Sequence, residues 1–519
     1  MSSHRRSPVV TVAALVGLGL LGAVPADGAT TLSRASAASP FANCVIEPLP
    51  GEVNYLNAEV EPMVAVNPRN QSNVIGVWQQ DRWRFGGARG LLTGVSHDGG
   101  ETWRRTFTHF SRCAGGTAAN NGNYERASDP WVTISPNGVA HQIGLSFDFV
   151  DDANQAVLAS RSTNGGDTWS EPIPLIVDTD LTVVDDKESI TADPLDDRFV
   201  YAVWDRLEFT DATETVLTRG PTLFARSTDG GRTWERARAI FDPGVDAQTI
   251  SNQIVVLPNG DLVNLLVQFL HANENSPNPG DVSLGVVRSR DRGLTWSSYI
   301  RINTLESIGI TDPKTGEPVR TGDIVPNIAA DPNSGVLFTV WQDARFSGHT
   351  RDGIAFSQSR DGGLKWSAPV QINKVPRVQA FTASIAVGEG DGPVAVTYYD
   401  FRNDNSDPGV LLTDYWRIIS HDRGETFRET HLAGPFDMRT APFARGFFVG
   451  DYEALGHGQG EFLPFFVLAN SGNLSNRTDV FAALFEGDQG GQTSQGESNG
   501  VDRGWQQRLK SHRESQRGD

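Results

Sequence analysis

SHDGGETW, residues 96–103, returns as STNGGDTW at 162–169 and STDGGRTW at 227–234. It returns again as SRDRGLTW (289–296), SRDGGLKW (359–366) and SHDRGETF (420–427). The leading serines are 66, 65, 62, 70 and 61 residues apart. A period of this size marks stacked supersecondary units, each too small to bury an apolar face alone. The residue types describe a turn. Asp98 and its equivalents accept backbone N–H bonds, as Asx turns do, and Asn164 keeps that ability through its amide oxygen. Gly100, Gly166, Gly231, Gly293, Gly363 and Gly424 suit a backbone at positive φ. Trp103, Trp169, Trp234, Trp296 and Trp366 supply apolar area for packing between units. The octapeptide is therefore scaffold, and the chemistry lies elsewhere.

Between the octapeptides runs a second pattern, an apolar run, a tight turn and another apolar run. EPMVAV turns at NPRNQSN (67–73) into VIGVWQ, ESITA at DPLDD (193–197) into RFVYAVW, and PNIAA at DPNSG (331–335) into VLFTVW. DYEAL turns at GHGQG (456–460) into FLPFFVL. Such runs broken by Pro, Asn, Asp and Gly are strand and hairpin signals. The pattern occurs seven times, once more than the octapeptide. EGDQGGQT at 486–493 keeps the spacing and reads as a decayed seventh copy. Each unit thus has four strands, with the octapeptide between the third and fourth. Seven such units predict an all-β propeller of four-stranded blades, or six if one unit is imperfect. The last unit lacks an outer strand, which the segment near Cys44 is expected to supply.

Arg5 and Arg6 precede an apolar run from Val9 to Ala23 and then small residues, the pattern of a secretory leader over 1–29. No later stretch is apolar enough to span a membrane. The organisation expected is a leader, an N-terminal segment at 30–60 that closes the ring, a propeller over 61–486 and a disordered polar tail over 487–519. Export favours a disulfide between Cys44 and Cys113, the only cysteines. Lys and Arg number 44 against 63 Asp and Glu, a net charge of −19, which disfavours nucleic acid and anionic membranes. No Cys/His spacing marks a zinc site, and no cofactor is expected. Acidic loops such as DTDLTVVDD (178–186) offer oxygen ligands for Ca²⁺ but lack a fixed ligand spacing. A closed ring leaves few strand edges for pairing, which favours a monomer.

In a propeller the residues before strand one and after strand two share one face, opposite the octapeptides. Here that face is polar. Before strand one come Glu59, Glu61, Glu125, Arg126, Asp129, Asp185, Asp186, Lys187, Glu188, Asp323, Asn327, Asp451, Tyr452 and Glu453. After strand two the phrases VWQQDR, VWDR, VWQDAR and YYDFR place Asp81–Arg82, Asp205–Arg206, Asp343–Arg345 and Asp400–Arg402. Two readings stand. The pairs organise loops, or the guanidinium forks converge on a carboxylate ligand. The aromatic residues of these phrases, Trp78, Trp204, Trp341 and Tyr398, read as core.

The pattern S-x-D-x-G-x-T-W resembles the Asp box, also called the bacterial neuraminidase repeat, and the resemblance covers about residues 60–490. It implies a sialidase-like β-propeller; sialidases usually have six blades. The repeat by itself does not imply sialidase activity; with the site motifs that resemble the family's, the first expectation is a secreted exo-glycosidase that releases a terminal acidic sugar, sialic acid, from a glycan or glycoconjugate. In that family three arginines hold the sugar carboxylate, a tyrosine paired with a glutamate is the nucleophile, and an aspartate is the acid/base. GDYEAL resembles the tyrosine motif and points to Tyr452. KESITADPLDDRFVYAVWDR resembles the Glu-to-Arg stretch and points to Glu188 and Arg206. Arg82, Arg345 and Arg402 are the other arginine candidates. The family's first arginine motif is absent, since unit one starts EVEP; the loop DRWRFGGARG offers no aspartate after Arg82, which leaves Asp81 as the acid/base candidate. Asp boxes also occur in other glycosidases, in lyases and in binding propellers. A polysaccharide-degrading enzyme of another class and a non-catalytic glycan- or protein-binding propeller are therefore the alternatives.

Overall fold

The computed structural model describes residues 30–149, 154–273, 281–389 and 392–485. The leader, the decayed octapeptide and the polar tail lie outside the described residues. The chain is almost entirely β. Among the described residues seven antiparallel units of four strands follow one another, the third with a short fifth strand, Leu217–Arg219, and the first two joined through a single Ala88–Ala127 pairing. In the first, Glu59–Val66, Val74–Arg82, Ala88–Ser96 and Arg104–Phe107 run from the axis outward. The inner strands of the seven are Glu59–Val66, Arg126–Ile134, Val183–Ala192, Ala247–Val256, Asn327–Ala330, Ala380–Val387 and Ala454–Gly458. Each touches the next, and the last returns to the first. This is a closed propeller.

The octapeptides explain how the units stack. Ser96 Oγ accepts the Gly100 N–H at 2.8 Å, and Asp98 Oδ1 accepts the Thr102 N–H at 2.9 Å. The same bonds recur at Ser289 with Gly293 (2.8 Å) and Asp291 with Thr295 (2.8 Å), and in the second copy Asn164 Oδ1 takes the Thr168 N–H at 3.0 Å. Gly293 has φ +83°, and a Cβ there would lie 2.5 Å from the Phe224 ring of the preceding unit. Positive φ and close approach together exclude every other residue. Trp296 then meets Phe224 edge-on at 5.5 Å, and Trp169 Nε1 donates to Thr106 Oγ1 of the unit before at 3.2 Å. Trp78, Trp204, Trp341 and Tyr398 are buried core residues.

Ring closure differs from expectation in one respect. The outer strand of the last unit is Thr30–Arg34, paired with Thr478–Phe485, not the segment near Cys44. Residues 35–44 instead cross from the last unit to the first. Ser36 Oγ donates to Asp479 at 2.7 Å, Phe41 enters the core, and Arg105 and Arg89 donate to the carbonyls of Ala38 and Phe41 at 2.7 and 3.0 Å. Cys44 is bonded to Cys113, just beyond unit one. A segment that bridges two units has no free edge to pair along, whereas Thr30–Arg34 reaches one.

The disulfide spans 69 residues, and the chain-entropy relation assigns a loop of that size about 4 kcal/mol. The Cys44→Ser/Cys113→Ser double variant is expected to lose most of that in denaturant unfolding. A loss below about 1 kcal/mol would mean that strand pairing alone holds the seam.

Candidate functional site

Five inner strands carry a β-bulge at one equivalent place. Register slips between Val60 and Met63, Ser128 and Trp131, Asp186 and Ser189, Ile250 and Gln253, and Phe381 and Ser384. The first bulged residue is left-handed each time: Glu61 (φ 56°), Asp129 (49°), Lys187 (50°), Ser251 (64°) and Thr382 (49°). A bulge re-aims a side chain, and left-handed backbone at non-glycine residues costs free energy. Repeated around a ring, the bulges turn a set of side chains toward one end of the axis.

There Lys187 is the centre. Its Nζ lies 2.6 Å from Asp129 Oδ1, 2.9 Å from Asp451 Oδ2 and 3.2 Å from Glu61 Oε1. Arg320 Nε donates to Asp451 Oδ1 at 3.0 Å. Arg320 comes from a short strand, Pro318–Arg320, that pairs antiparallel with Ile310–Thr311 and parallel with Phe447–Phe448, outside the repeated units. The guanidiniums of Arg320 and Arg82 lie over the same Phe448 ring, at 4.4 and 5.2 Å. Arg82 Nη1 donates to Gln79 Oε1 and to the Gly87 carbonyl, both at 3.0 Å.

Burial and charge pull the groups apart. Burial opposes the Lys187 charge, but Asp129, Asp451 and Glu61 outweigh it and hold the ammonium firmly protonated. Burial would raise Asp451, yet Arg320 and Lys187 overcome it and keep this carboxylate well below its usual range. Burial pushes Glu61 up to about 7 against the pull of Lys187. It raises Asp186 to about 6, with Asp129 adding to the shift. Burial, then the neighbouring Arg320, lowers Arg82 to about 10.

Glu188 and Tyr452 sit beside this cluster. Both line a cavity of about 10 Å³, the room of one water, together with Asp129, Lys187, Asn252 and Gln253. The Tyr452 ring packs on Trp131 at 5.6 Å, and Lys187 Nζ stands 5.5 Å from its centroid. Its hydroxyl reaches only the Pro130 carbonyl, at 3.5 Å. Both carboxyl oxygens of Glu188 are buried without a hydrogen bond. Burial and then Asp129 drive Glu188 well above the usual carboxylate range; burial and then Glu61 do the same to the Tyr452 phenol. Below, an axial channel of about 150 Å³ is lined by Ser189, Thr191, Asn327 and Ser384, and Trp131 and Gln253 belong to both spaces.

The structure brings Tyr452, Glu188 and Arg82 to this end of the axis and leaves the other candidates apart from it. Asp81 accepts from Ser39 Oγ at 2.6 Å and from the Asn57 N–H at 2.9 Å, so it anchors the N-terminal segment. Arg206 donates to Asp185 Oδ1 at 3.1 Å and also pairs with Asp178. Arg345 is held by Asp343 and Asn303, both at 2.7 Å, and by the Thr304 carbonyl at 2.6 Å. Arg402 is held by Asp400 at 2.7 Å and Glu429 at 2.9 Å, over the Trp416 ring at 3.6 Å. These three guanidiniums are satisfied within their own surroundings, and no four-arginine cluster forms. Arg320 escaped the sequence reading. Its one signal was the spacing of 70 between the fourth and fifth octapeptides, the longest of the series.

No family model and no curated protein matches the chain. Among solved structures it is similar to the Penicillium chrysogenum α-L-arabinanase complexed with arabinobiose, at 10% identity over 88% of this chain and 98% of that one, with a TM-score of 0.46. It is similar to a Hadza microbial sialidase at 16% identity over 81% and 75%, TM-score 0.45. It is also similar to a leech intramolecular trans-sialidase at 12% identity over 88% and 93%, TM-score 0.41.

Lys187→Met leaves three carboxylates around an apolar side chain. A broken buried pair costs about 3–5 kcal/mol, and the penalty is expected to shrink as pH falls from 8 to 5 and Glu61, raised to about 7, takes up its proton. In the parent protein, stability lent by the raised groups Glu61, Asp186 and Asp323 (about 7, 6 and 6) is complete below the ordinary carboxylate range and lost as pH rises through those values. Asp323→Asn is expected to flatten the fall in thermal midpoint between pH 4 and 6. An unchanged profile would show that Asp323 is protonated no more readily folded than unfolded.

Proposed function

We propose that the chain is a glycoside hydrolase whose reacting groups are Tyr452 and Glu188, with Asp186 as the acid for the leaving group. The observation that carries this reading is Glu188 itself. A buried carboxyl with neither oxygen bonded costs stability, and such groups are kept where they act on a proton. In the step proposed, the Tyr452 hydroxyl oxygen bonds to the anomeric carbon as the glycosidic C–O bond breaks. The phenolic proton passes to ionised Glu188, and the Asp186 proton passes to the departing oxygen. Water then reverses the sequence. Burial raises the proton affinity of Glu188, which makes it a stronger base than an ordinary carboxylate, and it raises the phenol beside it as well. A value of about 6 leaves Asp186 a usable acid in mildly acidic solution.

An acidic terminal sugar such as sialic acid has weaker support. Among the described residues the guanidiniums placed beside the Lys187 cluster are Arg82 and Arg320, and Asp451 already occupies Arg320. A glycan-binding propeller without catalysis is the second reading, favoured by the low exposure of Tyr452, 6%. The disulfide and the leader-like N-terminus support an exported protein, and among the described residues no helix is long and apolar enough to cross a membrane.

The test is hydrolysis of a panel of neutral aryl glycosides and an aryl α-sialoside by the parent protein, Tyr452→Phe and Glu188→Gln. Turnover of at least one substrate is expected, falling about 100-fold or more in each variant with the thermal midpoint retained. The rate should decline above about pH 6, and Asp186→Asn should remove that limb. Equal turnover in Tyr452→Phe would overturn the choice of nucleophile. No turnover anywhere, with glycan binding intact, would establish the second reading.

A further inference from the structure

A larger cavity, about 600 Å³, opens between the second and third units on the same face. That is within the range of small-ligand sites. Phe147, Phe149 and Leu181 form its apolar surface, and Asp148, Asp186 and Glu214 supply carboxylates. Asp186 also faces the axial cluster, where Asp129 and Lys187 shift its titration. The groove therefore runs up to the site where the proposed acid stands.

Phe149 is built as a fixed platform. One face lies on the Arg126 guanidinium, 4.2 Å from its centroid, and Arg126 is itself buried against the Trp83 ring at 4.6 Å. The Phe149 N–H donates to Glu125 Oε2 at 3.2 Å, and Phe147 packs beside the ring at 6.3 Å. Yet 37% of Phe149 remains exposed to the groove. A rigid aromatic surface presented to solvent binds an apolar face without loss of side-chain freedom.

The polar wall narrows the ligand. Asp148 is held by Arg112 Nη2 at 2.7 Å and Asp185 by Arg206, so part of the negative charge is matched from outside the groove. Among the described residues that line the groove there is no lysine or arginine. The Gln155 amide is engaged on both sides, by the Val183 carbonyl and the Asp185 N–H, so the acceptors open to a ligand are the carboxylates of Asp148, Asp186 and Glu214. The complement is a molecule with many hydroxyl donors, apolar C–H faces and no negative charge. We infer that this groove binds the uncharged sugar residues of an oligosaccharide next to the bond cleaved at the axis, and excludes sialylated, uronate and sulfated glycans. The assignment rests on the axial site being where cleavage occurs, and it names the substrate class of that site.

The experiment is titration calorimetry of Glu188→Gln with neutral hexasaccharides (xylo-, arabino-, manno- and galacto-), oligogalacturonate, sialyllactose and a chitosan hexamer. At least one neutral chain is expected to bind, with affinity about tenfold lower in Glu188→Gln/Phe149→Ala and restored in Glu188→Gln/Phe149→Trp. Glu214 is on the surface, so Glu214→Lys tests the groove without risk to folding. It is expected to weaken neutral binding and to admit oligogalacturonate. Tighter binding of an acidic glycan or of chitosan than of every neutral chain, no binding of any neutral chain, or neutral binding indifferent to both Phe149→Ala and Glu214→Lys would overturn the inference. Groove binding with no hydrolysis by the parent protein would separate failure of the catalytic reading from failure of this one.

Discussion

Closure of the ring is the constraint on which everything else depends. Side chains from units one, two, three and seven meet at Lys187, and no two neighbouring strands could assemble that set. Closure is achieved by pairing the two ends of the described chain, Thr30–Arg34 with Thr478–Phe485. That pairing is local in space and remote in sequence, so it carries a large loop-closure entropy. The segment that follows stitches unit seven to unit one through Ser36, Phe41 and Cys44. The Trp103 indole adds to the same seam, donating to Ser33 Oγ at 3.1 Å and packing on Phe465 at 5.4 Å.

The two faces of the ring divide the work. On one, short side chains in the octapeptides satisfy a turn and let each unit approach the last. On the other, five bulges spend conformational free energy to aim polar side chains at the axis. The axial hydrogen bonds between units show how tightly the two are linked. Ser189 Oγ donates to the Asn252 carbonyl at 2.8 Å, Gln253 Nε2 to the Pro326 carbonyl at 3.1 Å, and the Ile385 N–H to Asn327 Oδ1 at 2.9 Å. These three bulges are thus braced by the unit beside them, and such strain persists only where surroundings over-determine it.

The repeat was legible because turn chemistry is local. Ser, Asp and Gly at fixed offsets describe a structure complete within eight residues, and the strand runs alternate with strong turn signals. Tyr452 and Glu188 were legible as residues, by their place before strand one, and not as neighbours. The arginine phrases pointed two ways because an Asp one or two residues before an Arg is both a motif and a possible partner; the pairs two apart, Asp343–Arg345 and Asp400–Arg402, close on themselves at 2.7 Å. The bulges had a local signal at two places, where Pro62 and Pro130 interrupt a strand run after a carboxylate; Lys-Glu, Ser-Asn and Thr-Ala at the other three share no side-chain chemistry with them. What they share is a place in the ring, and that exists only after closure.

Arg320 shows how a non-repeated segment controls a repeated fold. The hairpin around residues 310–320 is pinned from outside by Arg439 on Asp312 at 2.7 Å and by Lys314 on Asp404 at 2.7 Å. From there it delivers a guanidinium to Asp451, and Gly322 passes so close that a Cβ would fall 1.6 Å from the Asp451 carbonyl oxygen. Asp451 thereby stays ionised while Glu61, Asp186 and Glu188, on the same axis but with no arginine hydrogen-bonded to them, are pushed upward by burial. One cation more or less decides which carboxyl keeps its proton. Environments that split neighbouring carboxyls in this way are what acid–base chemistry requires, and here the split originates in a strand that belongs to none of the seven units.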